Sequence, residues 1–280
     1  MLGEAIASVG AQGFANIEHI IVDGGSTDGT TELLAQHPTL RVIREPDRSV
    51  YDAFNKGIRA ATGEVIALLN SDDLFAPGAL AAVAKEFENS DVDLVTGAVE
   101  IFTGEKIVRR IDDAAVRRLS WPNVTLGSPL PNARFYRRAL LQRTGEFDLR
   151  YRLASDRDWL LRMLRTDARE VVIPTLVYRY RRHGESLTIN DHSRLAEPLW
   201  RESLAIAEEW LLLKDLAEGE RETLRAWRRH QCIEASLHFL RHGPWSRMIE
   251  FMQRSANDPL WMREWVRGFG KATWGFLSRQ

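Results

Sequence analysis

The sequence predicts an α/β protein, in which a mainly parallel sheet flanked by helices is followed by a helical C-terminal region. Two observations carry this. Over the first hundred residues, short β-rich runs alternate with helical stretches, a pattern that demands crossover connections. From about Leu195 only helical patterning remains, with breaks expected near Glu218-Gly219, Gly243-Pro244 and Asp258-Pro259. The boundary is therefore drawn between residues 1–190 and 191–280.

The elements follow in order. Glu18–Val22 is a strand that stops at Asp23-Gly24-Gly25, and Ser26 or Thr27 can cap a helix over residues 28–36. Leu40–Ile43 is the next strand. Val50–Ala61 places Val50, Ala53, Phe54 and Ile58 near helical spacing, with Gly63 as its stop. A strand over Val65–Leu69, a helix over Pro77–Phe87 and a β-rich stretch over Asp93–Phe102 complete the regular half. Beyond residue 104 the expected elements are a strand over 133–136, a short helix over 137–144, and a helix over 155–165 capped by Ser155. A last strand begins near Glu170 and is expected to break at Pro174.

Composition narrows the function classes. The chain has 280 residues, 44% hydrophobic and 28% charged, with a net charge of −1, so nothing in it favours a nucleic-acid partner. Cys232 is the only cysteine, which excludes an internal disulfide and a cysteine zinc cluster; it reads as an apolar filler in a helix. No apolar run approaches the ~18 residues that cross a bilayer, and no signal peptide is visible, so a cytoplasmic protein is expected.

Acidic residues mark the candidate site. Open parallel sheets bind ligands beyond the carboxyl ends of their strands. Asp23 and the Asp72-Asp73 pair each follow a strand directly. Two carboxylates beside a turn can hold a hard divalent cation such as Mg²⁺ or Mn²⁺; equally, Asn70-Ser71-Asp72-Asp73 can be a polar turn leading into the next helix. "SVYDAFNKGI" adds Asp52, Asn55 and Lys56, the last read as an ordinary polar-face residue. Asp156 and Asp158 open a helix, where the dipole favours carboxylates, and their spacing keeps them off one face.

Together, "NIEHIIVDGGSTDGTTELL", "SVYDAFNKGIRAATGEVIALLNSDDLFAPGAL" and "GEFDLRYRLASDRDWLLRM" resemble the family 2 glycosyltransferases, over roughly residues 3–185. The resemblance implies a GT-A fold, a Rossmann-like sheet that binds nucleotide-diphosphate sugars, and transfer with inversion in surface polysaccharide or glycolipid assembly. It assigns Asp23, with Gly24 and Ser26, to the nucleotide; Asp52 and Asn55 to the side of its pocket; Asp72 to the ribose or donor sugar. Asp73 becomes the direct ligand of Mn²⁺ or Mg²⁺, His183 of "YRRHGES" lies near the diphosphate and the metal, and Asp156 becomes the catalytic base. UDP is the family's common donor nucleotide, and the implied acceptor is a saccharide or a lipid-linked sugar. Three departures accompany it. The strand that family members place before "EAIASV" is not in this sequence, Ser155 stands where glutamate is frequent, and Pro131-Asn132 replaces the His-Gln of some relatives.

The tail raises a separate expectation. Residues 221–280 carry eleven Arg/Lys against five Asp/Glu and include Trp227, Trp245, Trp261, Trp265 and Trp274. Basic helices with Trp suit peripheral contact with the inner face of a membrane; the alternatives are burial in a helical subdomain or a homodimer contact. Two rival functions stand beside glycosyl transfer: a catalytically silent nucleotide-sugar-binding or scaffold protein, and a nucleotidyltransferase. The second would be expected to carry a glycine-rich basic phosphate loop near the start, and none is visible.

Overall fold

The computed structural model describes residues 1–184, 195–256 and 258–266. The chain forms two compact units, Met1–Asn190 and Asp191–Gln280.

In the first unit, α1 (Leu2–Gly10) precedes β1 (Ile20–Asp23), α2 (Thr30–Ala35), β2 (Arg41–Arg44), α3 (Val50–Ala60), β3 (Val65–Ala67), β4 (Leu74–Phe75) and α4 (Ala79–Phe87). β5 (Leu94–Thr103), β6 (Lys106–Ile111), α5 (Ala114–Arg117) and α6 (Trp121–Thr125) follow, and then β7 (Arg134–Arg137), α7 (Arg138–Thr144), α8 (Ser155–Leu164) and β8 (Glu170–Arg181). β1 and β2 pair in parallel as a two-stranded sheet. The larger sheet runs β3-β7-β5-β8-β4, with β6 paired to β5.

The α/β class and the flanking helices hold, but the expected mainly parallel pairing does not. In the six-stranded sheet only β5 and β8 are parallel; β3 with β7, β5 with β7, β4 with β8 and β5 with β6 are antiparallel. The alternation of strand and helix that implies crossovers ends at β5. A hairpin and short helices then deliver β7 between β3 and β5 in the opposite direction.

β8 also runs through Pro174 rather than breaking there. Its register against β5 shifts on either side of Ala98, and residues 173–175 have no ladder partner, so the missing amide hydrogen costs no bond. Gly97 lies in the same irregularity. A Cβ there would stand 2.3 Å from the Val177 side chain, so only glycine lets the two strands approach this closely. Around them Val95, Val99, Phe135, Val177 and Tyr178 pack with Phe75, Val83 and Phe87 into the core.

α3 departs from its expected orientation. Ser49 caps it by accepting from the Asp52 amide, as the sequence favours. The face it buries, however, holds Tyr51, Asp52 and Asn55, while Val50 is exposed. A helix that turns polar groups inward must give each a partner, and those partners build the site described below.

The second unit contains α9 (Ala196–Leu211), α10 (Glu218–His242) and α11 (Trp245–Ser255). Glu218-Gly219 opens α10 instead of breaking a helix, the break lying in the preceding residues 212–217; Gly243-Pro244 does separate α10 from α11. Cys232 packs with Leu204, Ala235, Phe239 and Phe251 as an apolar residue, and burial raises its thiol pKa. Among the described residues no helix is long and apolar enough to cross a membrane.

Candidate active site

The end of β1 is shaped by Asp23. Its Oδ1 accepts from the backbone amides of Ser26 (2.9 Å) and Gly25 (3.3 Å), and its Oδ2 lies 3.3 Å from Arg44 Nε. Hydrogen bonding from Ser26, its hydroxyl first, holds the carboxyl below the ordinary range. The adjacent Gly24 is exposed, and a Cβ on it would lie 2.9 Å from Asp47 Oδ2. Close approach at Gly24 is thus required by a neighbouring carboxylate as well as being open to a ligand.

Asp47 leads to Lys56. Lys56 Nζ contacts Asp47 Oδ1 at 2.6 Å and the Pro46 carbonyl at 2.7 Å, with Glu45 and Asp52 at 3.5 and 3.7 Å. This cation is the hub of the β2–α3 connection rather than a residue of a solvated face. Asp52 is buried and accepts from the Arg48 amide at 3.0 Å, the contact that chiefly lowers its pKa. Asn55 is only 1% exposed: its Nδ2 donates to the Phe147 carbonyl and its Oδ1 accepts from the Phe147 amide. Through these two bonds Asn55 positions the 145–151 loop.

That loop leads into α8 and Asp156. Asp156 Oδ1 is 3.2 Å from the Tyr51 hydroxyl, which is also 3.1 Å from the Leu153 carbonyl, so one side chain ties α3 to the start of α8. Burial raises the Asp156 pKa, against the opposing charge of Arg157. The Arg157 guanidinium in turn donates to the carbonyls of Val124, Thr125 and Gly127. Asp158 turns away to pair with Arg162 at 2.9 Å, as the spacing of the two acids requires. Ser155 is not the expected cap; its hydroxyl donates to the Asp148 carbonyl, and Ala154 occupies the cap position.

The two adjacent acids after β3 have different surroundings. Asp73 is 0% exposed. Its Oδ2 accepts from the Tyr178 hydroxyl (2.6 Å) and Asn70 Nδ2 (2.9 Å), and its Oδ1 accepts from the Arg181 amide (2.6 Å). Burial pushes its carboxyl up to about 6. Asp72 is partly exposed, and its Oδ2 lies 2.8 Å from His183 Nε2. A cation could reach Asp72 and His183 as they stand, whereas reaching Asp73 requires Tyr178 or the β8 backbone to move.

These two halves meet through β7. Asn132 donates to the Tyr178 hydroxyl at 2.9 Å, the Tyr136 hydroxyl donates to the Pro131 carbonyl at 2.7 Å, and Tyr136 packs edge-on against Trp159 of α8. Tyr51, Tyr178, Asp47 and the Arg181 backbone were not singled out in the sequence. Signals for Tyr51 and Tyr178 are present: Tyr51 directly precedes Asp52 at the start of a helix, and Tyr178 alternates with arginines in "YRYRRH".

Residues 1–172 match the family model described as Glycosyl transferase family 2, and the chain belongs to that family. An uncharacterized glycosyltransferase of Nostoc sp. is 39% identical over 121 residues, covering 41% of this chain and 37% of that protein. A PGL/p-HBAD biosynthesis glycosyltransferase of Mycobacterium bovis is 33% identical over 187 residues, covering 64% of this chain and 68% of the relative. The fold is that of the GT-A glycosyltransferases: S. aureus TarS in complex with UDP aligns with a TM-score of 0.67 and 18% identity, over 90% of this chain and 74% of that one. TarS in complex with UDP-GlcNAc aligns at 0.66, with 18% identity, over 90% and 77%.

The role of Asn55 can be measured. Asn55→Ala leaves the amide and carbonyl of Phe147 without partners, so urea denaturation should show a loss of about 1–3 kcal/mol. Stability equal to the parent chain would contradict the positioning role.

Proposed function

We infer that the protein transfers a sugar from a nucleotide-diphosphate sugar to an acceptor hydroxyl during glycoconjugate biosynthesis, with Asp156 as the base. One observation carries this: Asp156, a carboxylate made more basic by burial at the start of α8, is held by the Tyr51 hydroxyl of α3, the helix that also buries Asp52. Asp23, Gly24, Ser26 and Asp52 form the nucleotide side. The UDP and UDP-GlcNAc complexes of TarS support a uridine nucleotide as donor.

The step is a single displacement. The acceptor hydroxyl gives its proton to Asp156 as its oxygen bonds to the anomeric carbon, while the bond from that carbon to the diphosphate breaks with inversion. Asp72 and His183 offer one carboxylate oxygen and one imidazole nitrogen. No group of three metal-binding side chains is present among the described residues. Such a pair fits a Mn²⁺ or Mg²⁺ ion that takes its other ligands from substrate phosphates and water. When bound, the ion would neutralise charge on the departing diphosphate. In this reading Asp73 anchors the turn that presents Asp72, and its direct ligation remains the alternative. Metal-dependent release of nucleoside diphosphate separates transfer from a silent binding protein and from nucleotidyl transfer.

Because burial raises the Asp156 pKa, the competent carboxylate forms only above the usual carboxylate range of about 4. Turnover should fall as pH drops through that raised value. The same shift means that ionising Asp156 costs stability as pH rises. Asp156→Asn should therefore lose transfer and keep UDP binding, and its melting temperature should gain on the parent chain as pH rises above the ordinary carboxylate range. Wild-type turnover in this variant would remove Asp156 as the base.

For the helical unit we propose membrane contact at α11 alone, narrower than the Trp count suggests. Trp227 is fully buried, while Trp245 is 69% exposed and Ile249 of the same helix face is also exposed. Trp274 lies outside the described residues. Flotation with anionic vesicles should recover the parent chain, and Trp245→Ser with Ile249→Ser should not float. Equal flotation of both would contradict lipid contact at α11.

A further inference from the structure

The helical unit holds a pair of histidines that glycosyl transfer does not use. α10 ends on His238-Phe239-Leu240-Arg241-His242, and Gly243 stops it. Residues four apart share a helix face, and here the two imidazoles meet. Their ring centroids are 4.9 Å apart, with the planes tilted by 44°. His242 is exposed and His238 is half-buried. Trp200 of α9 packs edge-on against His238 at 5.2 Å, and Trp200 also packs against Phe239 and Phe251 of the unit's core. The inner ring is therefore seated by packing.

Packing accounts for the faces of the rings but not for their nitrogens. No ring nitrogen of His238 or His242 has a hydrogen-bond or ion-pair partner among the described residues. Burial, with the adjacent His242, lowers the His238 pKa, so at neutral pH this ring is in the uncharged form that ligates metals. Histidines at i and i+4 of a helix have a spacing that binds Zn²⁺. Two imidazoles on one tetrahedral ion, each nitrogen at about 2.0–2.1 Å, keep their ring centroids about 5 Å apart. The rings of α10 already stand at that separation. Glu197 of α9 adds a carboxylate whose charge acts on His238, while Arg201 holds its Oε1 at 2.8 Å.

We propose that His238 and His242 chelate one divalent metal ion of the Zn²⁺ class, with water completing its coordination. The two imidazoles are its only side-chain ligands, in keeping with the lack of any group of three metal-binding side chains among the described residues. Imidazole pairs select Zn²⁺, Ni²⁺ or Cu²⁺ over Mg²⁺, which prefers oxygen. The site belongs to the second unit, whereas Asp72 and His183 belong to the first. An ion held there bridges the last two turns of α10, and by binding only the folded helix it stabilises the unit.

Calorimetric titration of the full chain, free of any histidine tag, with ZnCl₂ and MgCl₂ tests this. His183→Ala is the background throughout, so that Zn²⁺ taken by the Asp72–His183 pair is not counted. In that background one equivalent of Zn²⁺ should bind, Mg²⁺ should not, and Zn²⁺ should raise the melting temperature. Adding His238→Ala or His242→Ala should each weaken Zn²⁺ by roughly tenfold or more and remove the rise in melting temperature. His242 is exposed, so its variant stays readable where His238→Ala disturbs the packing on Trp200. No Zn²⁺ binding in the His183→Ala chain, or Zn²⁺ affinity unchanged by His242→Ala, would overturn the proposal. Mg²⁺ binding as tightly as Zn²⁺ would overturn it too, since imidazole would then not be the ligand.

Discussion

Asp73 closes the turn between β3 and β4 with no access to solvent, and its two oxygens accept from Asn70, the Tyr178 hydroxyl and the Arg181 amide. Burying a carboxylate costs several kcal/mol, and hydrogen bonds to a charged group return about 1.5–3 kcal/mol each. Burial, with the neighbouring charge of Asp72, outweighs these three donors and pushes the carboxyl up to about 6. What this arrangement provides is position. The turn after β3 is locked to the end of β8, so Asp72 and His183 meet although 111 residues separate them. Arg181 strengthens the lock from the other side, donating to the Asp72 carbonyl at 2.8 Å and to Glu4 of α1 at 2.9 Å.

A second constraint comes from α3. Its inward face is polar, and each buried group spans a different junction: Asp52 closes the β2–α3 loop, Asn55 holds the loop before α8, and Tyr51 reaches Asp156 itself. The helix thus ties the β2–α3 loop to the start of α8. Binding sites held on regular elements through such contacts keep their geometry without relying on loop order.

Much of this was legible in the sequence, and the omissions have physical causes. The strand–turn–acid pattern singled out Asp23, Asp72 and Asp73, and the family resemblance singled out Asp156 from the two acids that open α8. Strand direction was not legible. Hydrophobic periodicity states which residues face the core but is blind to whether β7 enters by a crossover or from the opposite side. Side-chain partners were equally hidden: Asn55 and Asp73 look like ligand contacts in a motif, and only the backbone of Phe147 and Arg181, far away in sequence, shows where their hydrogen bonds go. Lys56 was undervalued for the same reason, since Asp47 reaches it only through the β2–α3 loop.

The account stands on one spatial claim, that the Asp72–His183 pair and Asp156 address adjoining parts of the same bound nucleotide sugar, its diphosphate and its anomeric carbon. A crystal structure of the chain with UDP and Mn²⁺ measures it directly. The account predicts the uracil beside Asp23 and the diphosphate with its metal at Asp72 and His183. The Asp156 carboxylate should face the open space next to the terminal phosphate. UDP seated elsewhere, or Asp156 shielded from that space by protein, would contradict it.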